Sequence, residues 1–323
     1  MEPGRARRRD LRCNVRTAVP PAATHPSPSS RVLVAGATGQ LGGAIARRLV
    51  AAGVPIRAVA RDRQKLAALA GPGVEITPVD LLNLAALNEA CRGVEQIIST
   101  VNNNMGSGAT SPTKVDLTAH QNLCAAARNA GVRRLVYVSA YGIDQDSPVD
   151  IFRIKWYIED AIKRSGVGYV LLRPTAFMDV WIDRILADGI RRKGVTTIFG
   201  DGTGTSNYIA VDDVAEFAAR ILGRGDVMKE VVEVGGPSTL SLNEVAALVE
   251  RRLGAAGKRR HVPVAALKLL PPIVRPFNEV AARLMSLGYI ASLPKPFPNW
   301  RVAAERFGIS PRTVEAYVEA MKP

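Results

Sequence analysis

The run from Val32 through Gly43 constrains this chain more tightly than any other. Val32, Leu33, Val34 and Ala35 are small and apolar and read as a buried parallel strand. Glycines follow at 36, 39 and 42, and residues 44–52 continue with helical character. Gly36 permits the tight turn. Gly39 lets backbone N–H groups approach a pyrophosphate with no Cβ in the way, and Gly42 lets the new helix pack close to the strand. Thr38, Gln40 and Leu41 ride the same turn and count among the expected contacts. A glycine string by itself says little, and a glycine turn without a ligand is the plain alternative. Set between a strand and a helix, with a second strand after it, the string points to a bound dinucleotide.

The second strand suggests which dinucleotide. Pro55 to Ala60 runs into Arg61, Asp62, Arg63, Gln64 and Lys65. An acidic residue about 20 positions beyond the glycines holds the ribose 2′-OH of NAD, whereas arginine there accommodates the 2′-phosphate of NADP. Arg61 sits at that distance, Arg63 and Lys65 follow, and Asp62 is the dissenter. Three cations around one carboxylate favour NADP(H), with NAD(H) as the alternative. A solvated, arginine-rich helix start would look the same.

Composition narrows the remainder. The chain has 323 residues, 47% of them hydrophobic, enough for one large domain or a domain with an appendage. Eighteen consecutive apolar residues occur nowhere, so no membrane span is expected. Cys13, Cys91 and Cys124 are too scattered for a disulfide framework and suit a reducing, cytoplasmic setting. His25, His120 and His261 lack partners at metal-ligand spacing, so no metal is expected. The net charge is +14. Its cations are spread out, and no nucleic-acid module accompanies them, so an anionic cofactor explains part of the bias and no specific nucleic acid is expected. Residues 1–30, rich in Arg, Pro, Ala and Ser, read as a disordered basic leader. An organelle transit peptide would have the same character, which leaves an organelle as the alternative location.

From residue 31 the pattern alternates. Strands are expected at 32–36, 56–60, 74–79, 95–100, 134–139 and 168–173, with helices at 42–52, 63–70, 83–91, 113–130 and 150–165. This succession predicts an α/β fold with a doubly wound parallel sheet over 31–175. Asp80 and Leu81, after the third strand, and Thr100, Val101 and Asn102, after the fourth, would flank a ligand at the carboxyl edge. Residues 176–323 read as a smaller, mostly helical C-terminal lobe, partly interleaved with the first domain, that supplies a substrate pocket. A helix is expected at 211–222, a strand at 231–234, a capping box at Ser241 to Glu244, and helix over 300–320. Val264 to Arg275 is apolar and cationic. It either packs on the lobe's own core, the expected outcome, or makes a peripheral contact with a bilayer.

A second constellation follows the fifth strand. Leu135 to Val138 delivers Ser139 and Tyr141 to the sheet's carboxyl edge, and Lys155 comes sixteen residues after Ser139. Arg173 and Pro174 end the next strand. With the glycine turn, Arg61, the Ala126 to Val132 run and Asp212 to Ala215, these residues resemble the short-chain dehydrogenase/reductase superfamily. More narrowly, they resemble its atypical NmrA-like, isoflavone-reductase-like branch. The resemblance covers residues 31–223 well and the rest more loosely.

The resemblance implies a Rossmann fold, a nicotinamide cofactor contacted also by Lys155 and Pro174, and oxidoreductase chemistry. Catalytic members of the superfamily use a serine to hold the substrate carbonyl, a tyrosine to donate the proton and a lysine to bind the nicotinamide ribose. The tyrosine belongs four residues before the lysine, one helical turn away. Here that position is Ile151. The chain is thus read as a reductase using Lys155 and Ser139, with Tyr141 as a substitute hydroxyl. Its substrate would be a small carbonyl, enone or quinone-like molecule. The alternative is a cofactor-binding redox sensor or assembly factor without turnover. Phe177, Met178 and Trp181, with residues around 203–208, are the expected substrate walls, and the protein is expected to be a monomer or homodimer.

Overall fold

The computed structural model describes residues 31–322 apart from Met105, Ala256, Gly257 and Pro294. The basic leader lies outside them. Seven strands form the main sheet: β1 (Arg31–Ala35), β2 (Ile56–Ala60), β3 (Val74–Pro78), β4 (Val94–Ser99), β5 (Arg134–Val138), β6 (Gly168–Pro174) and β10 (Glu230–Val234). Their order is β10-β6-β5-β4-β1-β2-β3, and every pair is parallel. The strand order reverses between β1 and β4, which opens a crevice at their carboxyl ends. This is the doubly wound Rossmann architecture, with strands within a residue or so of the expected positions.

Both faces are covered, as buried parallel strands require. On one side lie α1 (Gln40–Ala51), α7 (Val211–Gly223) and α12 (Trp300–Phe307), packing Ile45, Leu49, Phe217 and Phe307 against Val32, Val34 and Ile98. On the other lie α3 (Leu84–Cys91), α4 (Pro112–Asn129) and α5 (Asp150–Arg164), which bury Leu87, Leu123 and Ile158 against Leu33, Ile97 and Leu135. The short α2 (Arg63–Ala67) stops before Gly71 and Pro72, three residues earlier than its periodicity implies.

The second half contributes more to the sheet domain than its position in the chain implies. The expected helix at 211–222 and strand at 231–234 exist as α7 and β10, but α7 packs on α1 and β10 pairs with β6. What remains forms the lobe. Its strands are β7 (Ala176–Phe177), β8 (Val195–Phe199), β9 (Thr205–Ile209), β11 (Thr239–Ser241) and β12 (Lys258–Val262). Its helices are α6 (Asp188–Lys193), α8 (Leu242–Arg252), α9 (Val264–Leu269), α10 (Pro271–Val274), α11 (Glu279–Ser292) and α13 (Val314–Glu319), with a π-helical turn over Asp179–Ala187. Ser241 and Glu244 form the reciprocal capping box that starts α8. Helix does not run unbroken through 300–320, because Gly308 adopts the left-handed conformation (φ +63°) and ends α12.

One buried cation ties the C-terminal end of α7, and the turn that leads from it toward β10, to β4 and β5. Arg134, on β5, has no solvent exposure. Its guanidinium donates to the carbonyls of Ile221 (2.9 Å), Leu222 (3.1 Å), Arg224 (2.7 Å) and Val227 (2.6 Å), and to Gln96 Oε1 (3.0 Å). It therefore joins the Arg224 amide on the Ile221 carbonyl and Gln96 Nε2 on the Leu222 carbonyl (3.2 Å each) at the end of α7, and also holds the Arg224 and Val227 carbonyls just beyond the helix. Arg134→Met should cost about 3 kcal/mol, since buried acceptors lose their donor. Urea denaturation of the variant beside the parent checks this.

Candidate functional site

The glycine turn is held by backbone contact. Gly36 has φ +83°, and a Cβ there would come within 2.7 Å of Thr100 Oγ1. A Cβ on Gly42 would lie 2.1 Å from the Gly36 carbonyl oxygen. Helix α1 therefore begins against the tip of β1, and Gly39, its N-cap, offers no side chain to the first amides. Those amides and the positive end of the helix are left for an anion.

The turn opens into a cleft of about 1340 Å³ between the carboxyl edge of the sheet and the C-terminal lobe. Gly36, Thr38, Gly39, Gln40, Leu41 and Gly42 form its floor at the sheet's switch point. Thr100, Val101 and Asn102 close one side, with Thr100 Oγ1 bonded to the Ala35 carbonyl (3.2 Å). Asp80 and Leu81 lie at the far end, where Asp80 accepts the Leu82 amide (3.0 Å).

Arg61 and Lys65 line the same end, and Arg61 makes no ion pair among the described residues. Asp62 is engaged otherwise: its carboxylate caps α2, accepting the amides of Gln64 (3.0 Å) and Lys65 (3.1 Å), and lies 3.7 Å from Lys65 Nζ. Arg63 does not reach the cleft. It is exposed on α2, whose first turn aims it away.

At the other end the cleft is lined by Ser139, Tyr141, Ile151, Lys155 and Pro174. Ser139 is buried, yet its Oγ has no hydrogen-bond partner among the described residues. A buried hydroxyl without a partner is costly unless something else supplies one. Lys155 is 8% exposed; Nζ donates to the Val138 carbonyl (3.3 Å) and Tyr137 Oη (3.4 Å). Burial pulls its amine down to about 8, against the opposing pull of Asp116 and Glu159. Glu159 is itself taken up by Arg173, in a bidentate pair of 2.9 and 2.6 Å. Ile151 fills the place one turn before Lys155 with hydrocarbon.

Phe177 and Trp181 line the cleft, and Trp181 packs edge-on to Phe199 at 6.0 Å. Met178 does not. It is fully buried in the lobe's core, in one cluster with Ile182, Leu186 and Tyr208. Of residues 203–208, Ser206 on β9 alone lines the cleft.

Several lining groups gave no local signal. Arg283 on α11 forms a buried bidentate pair with Asp150 (2.9 and 2.9 Å), 133 residues earlier, and bonds the Asn104 carbonyl (2.7 Å). Lys295, pushed down to about 8 by burial, donates to the Ile290 carbonyl (3.3 Å) and lies 5.7 Å from the Phe297 ring centre. Phe297 in turn lies 6.4 Å from Tyr141. A lone lysine set among prolines was the one available hint. Tyr137, which touches Lys155, is buried and pushed well above its ordinary value by that burial.

Residues 36–224 match the family model described as NAD(P)H-binding. Among curated proteins, the chain is 31% identical to a Streptomyces griseus (4-alkanoyl-5-oxo-2,5-dihydrofuran-3-yl)methyl phosphate reductase, covering 83% of this chain and 96% of that one. It is 25% identical to a photosystem II assembly factor of Synechocystis, covering 90% of each. Among solved structures, an NADPH-dependent quinone oxidoreductase from Escherichia coli in complex with NADPH superimposes with a TM-score of 0.73. That pair shares 24% identity, with 89% of this chain and 98% of the other covered, which establishes the shared fold.

Behind the cleft, His120 bonds Ser99 Oγ through Nε2 (3.0 Å) and the Asp116 carbonyl through Nδ1 (2.7 Å). Complete burial pulls its imidazole down to about 4. The folded protein thus resists the proton that the unfolded chain accepts near 6.5, and stability present above that pH is lost as pH falls toward 4. The loss should reach about 3 kcal/mol. Chemical denaturation across this range checks it, and His120→Asn should flatten the slope.

Proposed function

Because the chain is an NmrA-like member of the NAD(P)H-binding family, we propose that it is an NADPH-dependent reductase of a small carbonyl, enone or quinone-like molecule. The observation that carries the proposal is a buried lysine amine and a buried serine hydroxyl without a partner among the described residues, both lining the cleft. The name of the Streptomyces relative, an alkanoyl-oxo-dihydrofuran reductase, supports this substrate class.

The cradle fits the cofactor on its own terms. A Cβ at Gly42 would destroy the approach that leaves the α1 amides open, and the uncapped helix start suits a pyrophosphate. Arg61 would hold the 2′-phosphate, with Lys65 beside it and Asp62 withdrawn into its capping role. When bound, NADPH supplies the hydride. Ser139 Oγ would donate to the substrate oxygen and fix the carbonyl toward the reacting face. Lys155, as the ammonium, would hold the nicotinamide ribose and deliver the proton that balances hydride addition. Phe177 and Trp181 would keep water from the reacting carbon.

A second reading rests on Ile151, which puts hydrocarbon where the tyrosine acid of the superfamily stands. It makes the protein a cofactor-binding assembly factor or redox sensor without turnover, in line with the Synechocystis relative. A panel of quinones, enones and aldehydes with NADPH separates the two. Turnover is expected, and no oxidation of NADPH across the panel by folded, cofactor-binding protein would favour the second reading.

Two variants test the assigned residues. Arg61→Ala should weaken NADPH about tenfold through loss of a charge-assisted pair while leaving NADH unchanged, as read by fluorescence titration. The wild-type rate should fall as pH rises through about 8, where Lys155 loses its proton. Lys155→Met should lower kcat about 100-fold or more and abolish that limb of the profile.

A further inference from the structure

Helix α11 gives the cleft an apolar wall. Val280, Leu284, Leu287 and Ala291 line it at spacings of four, three and four, so one stripe of the helix faces the cleft over about 16 Å. Arg283 lies within that stripe, but its charge is already met by Asp150 (2.9 Å). Lys295 stands just past the end of the wall, where α11 has stopped at Ser292, and lines the same cleft beside Pro296 and Phe297.

Its situation differs from that of the arginines there. Arg173 has Glu159 and Arg283 has Asp150, whereas Lys295 makes no ion pair among the described residues. Nζ donates to the Ile290 carbonyl at 3.3 Å, an oxygen that already accepts the Leu293 amide at 3.2 Å. The end of α11 is therefore satisfied without the ammonium. A shared neutral acceptor and the Phe297 ring, 5.7 Å away, are weak company for a half-buried charge. The carboxylates that line the cleft are engaged elsewhere. Asp62 and Asp80 hold backbone amides, Asp116 accepts the Asn103 amide (3.0 Å), and Glu233 lies 3.6 Å from Arg173.

We propose that Lys295 is a substrate-binding residue that holds an oxyanion, a carboxylate or a phosphate, carried by an otherwise apolar substrate. The proposal rests on the reductase reading, in which the cofactor's own phosphates belong to the α1 amides and Arg61. The counter-charge that reaches Lys295 is then the substrate's. An oxyanion is the partner an ammonium takes most strongly, and the stripe on α11 covers the apolar body that carries it. Lys295 thereby sets specificity, while Ser139 and Lys155 serve the reacting carbonyl.

The test is calorimetric titration of the full chain saturated with NADPH, using three ligands with one flat aromatic body: 2-naphthoate, 2-naphthyl phosphate and the neutral 2-naphthalenemethanol. Heat of NADPH binding is recorded first, so that failure of the cofactor reading shows separately. At least one anion should bind about tenfold or more tighter than the alcohol, and the tighter of the two distinguishes carboxylate from phosphate. Lys295→Gln, which keeps an N–H donor for Ile290 but no charge, should bring both anions to the affinity of the alcohol and leave the alcohol unchanged. Lys295→Arg should retain the preference. Thermal melting of both variants checks that the fold is intact. No preference for either anion in the wild type overturns the proposal, undetectable binding included, and so does an undiminished preference in Lys295→Gln. Equal loss of all three ligands in that variant also overturns it, because the residue would then only shape the end of α11. Binding rather than turnover is read. An anion preference that depends on Lys295, in protein that oxidises no NADPH with any carbonyl, upholds the subsite and removes the reductase reading alone.

Discussion

The approach of α1 to the tip of β1 is the constraint on which the rest of the molecule depends. At 2.1 Å from a carbonyl oxygen, the position where Gly42 would carry a Cβ is closed to any side chain. Because the helix can start that close, its first amides emerge at the point where the strand order reverses. Everything else in the cleft is arranged around that origin. Cations stand one strand over, just past the end of β2, and the buried amine of Lys155 stands on the far side, behind β5. The C-terminal lobe closes the open side with Trp181, Arg283 and Phe297.

Electrostatics divides the cleft into two unlike ends. At the β2 end the charged groups are exposed; Asp62 and Asp80 are each engaged by backbone amides, and Arg61 makes no ion pair among the described residues. At the β5 end the charged groups are buried and mostly paired: Arg173 with Glu159, Arg283 with Asp150. Buried pairs of this kind contribute little net stability but fix geometry, since removing one partner strands the other. Lys155 sits among them without a carboxylate of its own in contact, which is why burial dominates its behaviour. The contrast suits one end to holding a phosphate and the other to moving a proton.

What the sequence revealed and what it concealed follow from the range of the interactions involved. The strands and helices of the first half were legible because each is set by local chemistry: the apolar run of β1, the glycines after it, the proline that ends β6. The floor of the cleft was legible for the same reason. Met178 was misplaced because spacing alone does not distinguish a residue facing a cleft from one facing a core. Arg283 was invisible because its partner, Asp150, is 133 residues away. Arg134 was no more legible: nothing in a strand of five residues says that one of them will cap a helix nearly ninety positions later.

That last contact has a consequence for how the chain matures on the ribosome. When the first six strands have been synthesised, the outer edge of β6 is still bare, and the guanidinium on β5 has yet to meet its carbonyl acceptors. An uncovered parallel edge next to a half-solvated cation is an adhesive and unstable surface. Neither is relieved until residues 221–234 emerge, so the nascent sheet must wait for sequence lying beyond the first strands of the lobe. The two regions thus mature as one folding unit, and a nascent chain stalled before that point is the species a chaperone would have to protect.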